Sequence, residues 1–350
     1  MSPSSRAKRP SIAVGADNLP VVAWEESGSV LAKKWDGSAW TPMGGVLNRN
    51  SGKQGEQPQV AIQPDGTVHV VWREMDPSND YSRVAVSRWN GSAWEPVGDF
   101  LTPQGSVADS VRLGATQQGA VVVSRERVVP ATERQVVVRR WNGSVWQQLG
   151  GGALNAVAGT DVTGEPALAA VPNGDVVVAW IERVPGQPVS ARGKRWDPAQ
   201  NLWIDLPSIE EVDGDSDLSI AAASDVGVVL SRNGNAGLLP YIELLPLTTS
   251  SWSQLGLPDD SMKSAGGIPS HLVAGAPNGG IVTLSSVRGN LRVDRLSEGK
   301  WTEVIPSVNP EPQRGWDPAI AVANDGTIYV AYVDTRNEGA QLLTASYRGT

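Results

Sequence analysis

Short apolar runs alternate with polar turns along this chain in one phrase that recurs seven times. The phrase reads apolar strand, Asp-Gly or Asn-Gly turn, V-V-x-W, polar loop, basic-basic-Trp, a second Asn-Gly turn, and W-x-x-L-G. Its first run appears as SIAV (Ser11 to Val14), QVAI (Gln59 to Ile62), ALAA (Ala167 to Ala170) and AIAV (Ala319 to Val322). None alternates strictly, which predicts strands packed on both faces. Asp65-Gly66, Asn173-Gly174, Asn278-Gly279 and Asp325-Gly326 follow. These residues tolerate positive φ, so each predicts a tight hairpin. β-branched runs such as Val176-Val177-Val178-Ala179-Trp180 then supply a second buried strand.

The outer half of the phrase, W-x-G-x-x-W, recurs as Trp35 to Trp40, Trp89 to Trp94 and Trp141 to Trp146. A two-residue turn at Asn90-Gly91 would pair Trp89 with Ser92 and Trp94 with Ser87, leaving both indoles on one face as diagonal neighbours. There they would fill the gap to the next unit or offer a platform for sugar stacking. The motif decays to Trp196 and Trp203, then to a lone Trp252 and a lone Trp301.

Aligned on the end of the second strand, the units mark Trp24, Trp72, Ser124, Trp180, Ser231, Ser285 and Tyr332, at steps of 48, 52, 56, 51, 54 and 47 residues. Four short strands at that period predict an all-β fold, a seven-bladed β-propeller with four antiparallel strands per blade. The predicted organisation is a polar segment 1–10 and one propeller domain over 11–350. The last unit stops at Tyr347-Arg348-Gly349-Thr350, with Tyr347 in the place of the third-strand Trp. Its fourth strand must come from Met1 to Pro10, or the blade keeps three strands and a protected edge.

At 350 residues and 37.0 kDa the chain is long enough to bury about three quarters of its unfolded surface. A net charge of −8 and a pI near 5.0, with no basic stripe among the aromatics, argue against nucleic acid as a partner. Absence of cysteine excludes disulfides and thiolate chemistry. No apolar run approaches the roughly 20 residues that cross a bilayer, so membrane insertion is not expected. The start, MSPSSRAKRP, is polar and basic and reads as no secretion signal. No cofactor is implied.

Strand order places the tight turns on one face and the longer connections on the other, including Gly44 to Pro58, Val308 to Asp317 and the insertion Met75 to Ser82. Binding is expected on the long-loop face. Glu26, Glu74, Glu126, Glu182 and Asp334 stand two residues after the aligned position, where a strand enters its loop. They would form an acidic ring for a cation or a basic partner, or pair with Lys34, Arg88, Arg140 and Arg195. Trp316 belongs to no repeat position, and with Arg314 and Asp317 it is a candidate ligand contact. Tyr81 in the second-blade insertion is another. Asp213-Gly214-Asp215-Ser216-Asp217 opens like a calcium loop, but Leu218 and Ser224 depart from it, so it reads as an acidic solvated loop.

Only two histidines are present, His69 and His271, in different blades, so no Ser/His/Asp constellation is predicted and no catalytic residue is named. A carboxylate pair on the loop face would permit glycoside hydrolysis or polysaccharide lysis as an alternative. P-D-G-T-V-H-V-V-W and N-D-G-T-I-Y-V-A-Y resemble sialidase Asp-box turns only superficially, since the aromatic falls six residues past the Gly. No trio of arginines for a carboxylate substrate stands out.

At W-D-G-S-A-W-T-P-M-G-G-V-L-N and P-A-L-A-A-V-P-N-G-D-V-V-V-A-W-I-E the chain resembles the Trp-rich propeller repeats of secreted and surface-anchored bacterial proteins, over residues 11–349. It is also distantly similar to seven-bladed bacterial lectins that bind fucose-type sugars between blades. The resemblance implies a propeller, a secreted or cell-surface setting and a non-enzymatic recognition role toward a glycan or protein ligand. A structural docking subunit is a third reading.

Overall fold

The computed structural model describes residues 6–50, 52–75, 81–128, 131–155, 157, 160–170, 175–210, 212, 218–223, 227–233, 240–246, 251–256, 270–276, 280–287, 289–311, 314–335 and 339–348. Among them every regular element is a β-strand, and the strands fall into seven antiparallel units in chain order. Units two and three are joined into one sheet by a single parallel bridge, Ser82 to Val107. The first strands are Ala7–Val14, Gln54–Ile62, Ser106–Thr116, Ala167–Ala170, Leu218–Ala223, Ser270–Gly275 and Gly315–Val322. Each packs on the next, and the last packs on the first. They enclose a channel with a cavity of about 310 Å³ to which all seven contribute. The molecule is a β-propeller.

The core is divided among the seams. Seven hydrophobic clusters each join two neighbouring blades, including blade seven to blade one through Ala331, Ala7, Ile12, Val22 and Trp24. A blade is one sheet thick, so both faces need apolar side chains, and strict alternation disappears. The second strands carry this furthest: in Val176–Arg183 every residue but the last is buried. First strands turn one face to the channel and are half-buried there, as in Ala167–Ala170.

The outer hairpins differ from expectation in register. Trp89 lies directly opposite Trp94, and Ser87 opposite Pro96. The turn holds four residues rather than two, because Asn90 Oδ1 accepts the backbone N–H groups of Ser92 and Ala93 at 2.9 and 2.8 Å and closes a wider loop. Trp89 and Trp94 therefore meet edge to face, with ring centroids 5.3 Å apart.

Each outer indole also reaches across a seam. Trp94, Trp146, Trp203, Trp252 and Trp301 donate Nε1–H to the carbonyls of Met43, Val97, Leu149, Pro207 and Leu255 of the preceding blade, at 2.6 to 3.1 Å. The Gly that closes the W-x-x-L-G phrase follows that carbonyl in four cases, as Gly44, Gly98, Gly150 and Gly256. At Gly150 (φ 76°), a Cβ would stand 2.5 Å from the Trp203 ring. Only glycine gives both the left-handed backbone and the clearance.

Ring closure uses the same devices. Ala7 N–H donates to the Ala340 carbonyl at 3.1 Å, as Gly55 does to Gly28 at 2.8 Å and Gly315 to Gly289 at 2.9 Å. The strand begins at Ala7 rather than Ser11, because Ala7 and Lys8 pair with Glu26 and Glu25 beyond a bulge. Among the described residues the chain start therefore builds blade one, and blade seven has three strands. Trp40, facing blade seven, donates instead to Thr344 Oγ1 at 3.1 Å.

Candidate functional site

Four first strands open on the loop face with a residue before proline: Arg9-Pro10, Gln57-Pro58, Glu165-Pro166 and Asp317-Pro318. Proline lacks an N–H, so the ladder to the second strand is interrupted. Strands one, two and seven bulge there, between Lys8 and Ser11, Glu56 and Gln59, and Trp316 and Ala319. The residue before each proline adopts a left-handed backbone, with φ of 46° at Arg9, 51° at Gln57 and 46° at Asp317. Such strain in non-glycine residues persists only where the surroundings impose it, and it clusters at functional sites. A matching bulge in blade three skips Asp109.

The bulges bring side chains from different blades together at the channel mouth. Arg9 Nη1 lies 3.5 Å from Glu25 and 3.8 Å from Glu56, and its backbone N–H donates to Asp317 Oδ2 at 3.2 Å. Arg73 Nη1 lies 3.7 Å from Glu56 and donates to Gln57 Oε1 at 3.4 Å. Gln57 Nε2 donates to Glu165 Oε1 at 3.0 Å, and Glu165 Oε2 accepts from Arg112 Nη2 at 2.5 Å. Asp109 takes Arg134 at 2.6 Å and Arg125 at 3.9 Å. Guanidiniums and carboxylates thus converge where the sequence suggested no arginine cluster. Glu25, Arg73 and Arg125 all follow the aligned position of their blades by one residue, a regularity that could have been read from the repeat.

Two carboxyls at this mouth are pushed in opposite directions. Burial raises Glu25, aided by Glu56 and Asp317 and opposed by Arg9 and Lys8. Burial also acts to raise Glu165, but Arg112, Arg125 and Arg9 outweigh it and hold it below the usual carboxylate range.

The carboxylates expected to form an acidic ring lie in the seams. Trp24, Trp72 and Trp180 donate Nε1–H to Glu26, Glu74 and Glu182 of their own strands at 2.9, 3.0 and 3.1 Å. Glu74 also accepts from the backbone of Arg49 and Asn50 and from Asn50 Nδ2, so it anchors the connection between blades one and two. Glu182 takes the Thr160 hydroxyl. In blade three Ser124 leaves the indole slot open, and Arg139 fills it against Glu126. Blade five uses Arg232, one residue beyond the aligned Ser231, with Glu243 at 3.0 Å, and blade six uses Arg292 with Asp294 at 2.6 Å. Asp334 is buried at the end of its strand in blade seven. Pairing with Lys34 and its counterparts is ruled out by register: Lys34 stands opposite Val21, while Glu26 stands opposite Ser29 at the other end of the hairpin.

Trp316 is 49% exposed, so it plugs neither the channel nor a seam. Asp317 joins the channel mouth, whereas Arg314 turns to Glu311 at 2.8 Å. Tyr81 lines a second, off-axis pocket on the loop face together with Glu74. The Asp213 to Asp217 run lies outside the described residues. Among the described residues, no group of three His, Asp or Glu side chains is placed to hold a metal ion, and no helix is long and apolar enough to cross a membrane.

No protein-family model matches the chain, and no curated protein matches it in sequence. Solved structures do match in fold. The α-L-arabinanase of Penicillium chrysogenum complexed with arabinobiose is 14% identical, with a TM-score of 0.55, over 98% of this chain and 93% of the other. SapL1 lectin in complex with α-methyl fucoside is 14% identical, with a TM-score of 0.54, over 89% and 98%. The sialidase of Trypanosoma rangeli is 12% identical, with a TM-score of 0.54, over 98% of this chain and 55% of the other. At such identities the likeness is one of fold, and it places this chain among the β-propellers.

Proposed function

We propose that the protein recognises a saccharide at the loop-face mouth of its channel. The observation that carries this reading is the alternation of acceptor-only carboxylates with donor-only guanidiniums around one opening, running Glu25, Arg9, Glu56, Arg73, then through Gln57 to Glu165 and Arg112. A sugar hydroxyl both donates and accepts, so a polyol finds partners of both kinds there, each strengthened by charge. Trp316, exposed beside Asp317, offers an aromatic face to the apolar side of a sugar ring. Two of the similar structures hold arabinobiose and α-methyl fucoside, which supports the ligand class. A glycan array probed with the full chain tests it. Binding is expected, with Glu165→Gln and Trp316→Ala each weakening it tenfold or more; an array on which the wild-type chain binds nothing would sink the reading.

A second reading, glycoside hydrolysis, is favoured by the opposed shifts of Glu25 and Glu165, the pattern that separates an acid from a base in carboxylate pairs. It requires release of reducing sugar from the bound glycan and loss of that release in Glu25→Gln. Binding without release selects recognition.

A further inference from the structure

We propose that a second binding site, for a sugar unit bearing a carboxylate or sulfate group, lies off the channel axis over blade two. A cavity of about 560 Å³ opens there, bounded by the connections on either side of the blade and lined among others by Glu74, Tyr81, Arg83, Phe100 and Gln104. That volume lies within the range of small-ligand pockets.

The charge pattern identifies the ligand. Arg83 stacks on the chain's single phenylalanine, Phe100, with its guanidinium carbon 4.1 Å from the ring centroid, and Arg49 sits 5.0 Å from the same centroid. The Nη atoms of Arg49 are spent on the carbonyls of Gly98 and Val86. Among the described residues Arg83 makes one hydrogen bond, from Nε to the Thr102 carbonyl at 3.4 Å, which leaves its two Nη groups for a ligand. Among the described residues neither arginine has a carboxylate within ion-pair distance, whereas Arg73, Arg112, Arg125 and Arg134 at the channel mouth all do. The nearby Glu74 carboxylate is occupied by four N–H donors, from Arg49, Asn50 and Trp72. An oxyanion accepting from the planar Arg83 fork would supply the missing counter-charge. The aromatic edge of Phe100 and the Tyr81 ring give the attached sugar an apolar wall, as aromatic residues do in ligand pockets.

This site is distinct from the channel mouth and stands whether or not a saccharide binds there. Titration calorimetry of the full chain with D-glucuronate, glucose 6-sulfate, glucose and inorganic sulfate tests it. At least one of the two anionic sugars is expected to bind ten times or more tighter than glucose or free sulfate, the better arm telling carboxylate from sulfate. Arg83→Gln should lower that affinity tenfold or more, Arg83→Lys should retain part of it, and Glu165→Gln at the channel mouth should leave it unchanged. A circular-dichroism melt matching wild type shows each variant folded. Absence of binding, equal binding of glucose, free sulfate binding as tightly as the sulfated sugar, or an unchanged affinity in folded Arg83→Gln would overturn the proposal. If Arg83→Gln fails to fold, Arg83→Lys with unaltered affinity does the same.

Discussion

Blades one, two and four and blades three, five and six fill the same seam position with different chemistry. In the first group a tryptophan occupies the slot and spends its one polar hydrogen on a carboxylate two residues further along the same strand. In the second, an arginine takes the space and ion-pairs with an acid that comes from the second or the third strand. The indole brings its own apolar volume and needs one acceptor. The guanidinium brings less apolar area and a full charge, so it depends on the partner staying in place. One fold therefore contains seams stabilised by area and seams stabilised by pairing, which should fail in different ways.

The largest expected contrast is in blade five. Arg232 and Glu243 are both nearly inaccessible to water, so Glu243→Ala takes a buried counter-charge from the Arg232 guanidinium and should cost about 3–5 kcal/mol in urea unfolding. Replacing both with apolar residues, Arg232→Met with Glu243→Leu, should return stability close to wild type. A single variant within 1 kcal/mol of wild type would mean that the pair is not what holds that seam.

Acid should probe the comparison through the two histidines, one in each kind of blade. Burial pushes both His69 and His271 down to about 4. The unfolded side chains titrate near 6.5, so between pH 6.5 and 4 the unfolded chain binds protons that the folded one refuses. Their stability contribution is complete above pH 6.5 and declines through that window, by up to about 3 kcal/mol for each histidine. Denaturant midpoints measured from pH 7 to 4 should flatten in His69→Gln and in His271→Gln. A slope unchanged by either substitution would show that these residues are not buried neutral.

Within the indole seams the effect should be smaller. Glu182→Ala removes the acceptor of Trp180 Nε1–H and of the Thr160 hydroxyl while the ring stays in place, for about 1–3 kcal/mol, readable as a lowered melting temperature. Smallest of all is the closing seam. Thr344→Val removes the side-chain acceptor that Trp40 uses in place of a backbone carbonyl, and this exposed bond should be worth at most about 1 kcal/mol. A larger loss would show that closure of the ring leans on that contact.

Much of this was legible in the sequence. The period of the repeat and the seam position of the tryptophans both follow from local residue properties. The hairpin register did not, because Asn90 and Asn142 each close a four-residue loop with their own side chains, and an Asn-Gly pair alone does not distinguish that from a two-residue turn. The arginine seams were hidden for a different reason: Glu126 follows its slot in the second strand, while Glu243 and Asp294 stand on the third, so no fixed spacing marks them. At the channel mouth the signal was present, as Arg9-Pro10, Gln57-Pro58, Glu165-Pro166 and Asp317-Pro318 before each apolar run, but its meaning depends on how blades face one another.

By itself the sequence determined the strand content, the repeat and the circular plan, because turn chemistry and apolar patterning act over a few residues and are copied in every unit. Tertiary structure alone decided which charges meet. Arg9, Glu56, Glu165 and Asp317 are separated by 47, 109 and 152 positions along the chain, and only closure of the ring brings blade seven beside blade one and sets all four around one opening. Electrostatic partnership depends on distance in space, which local patterning does not encode.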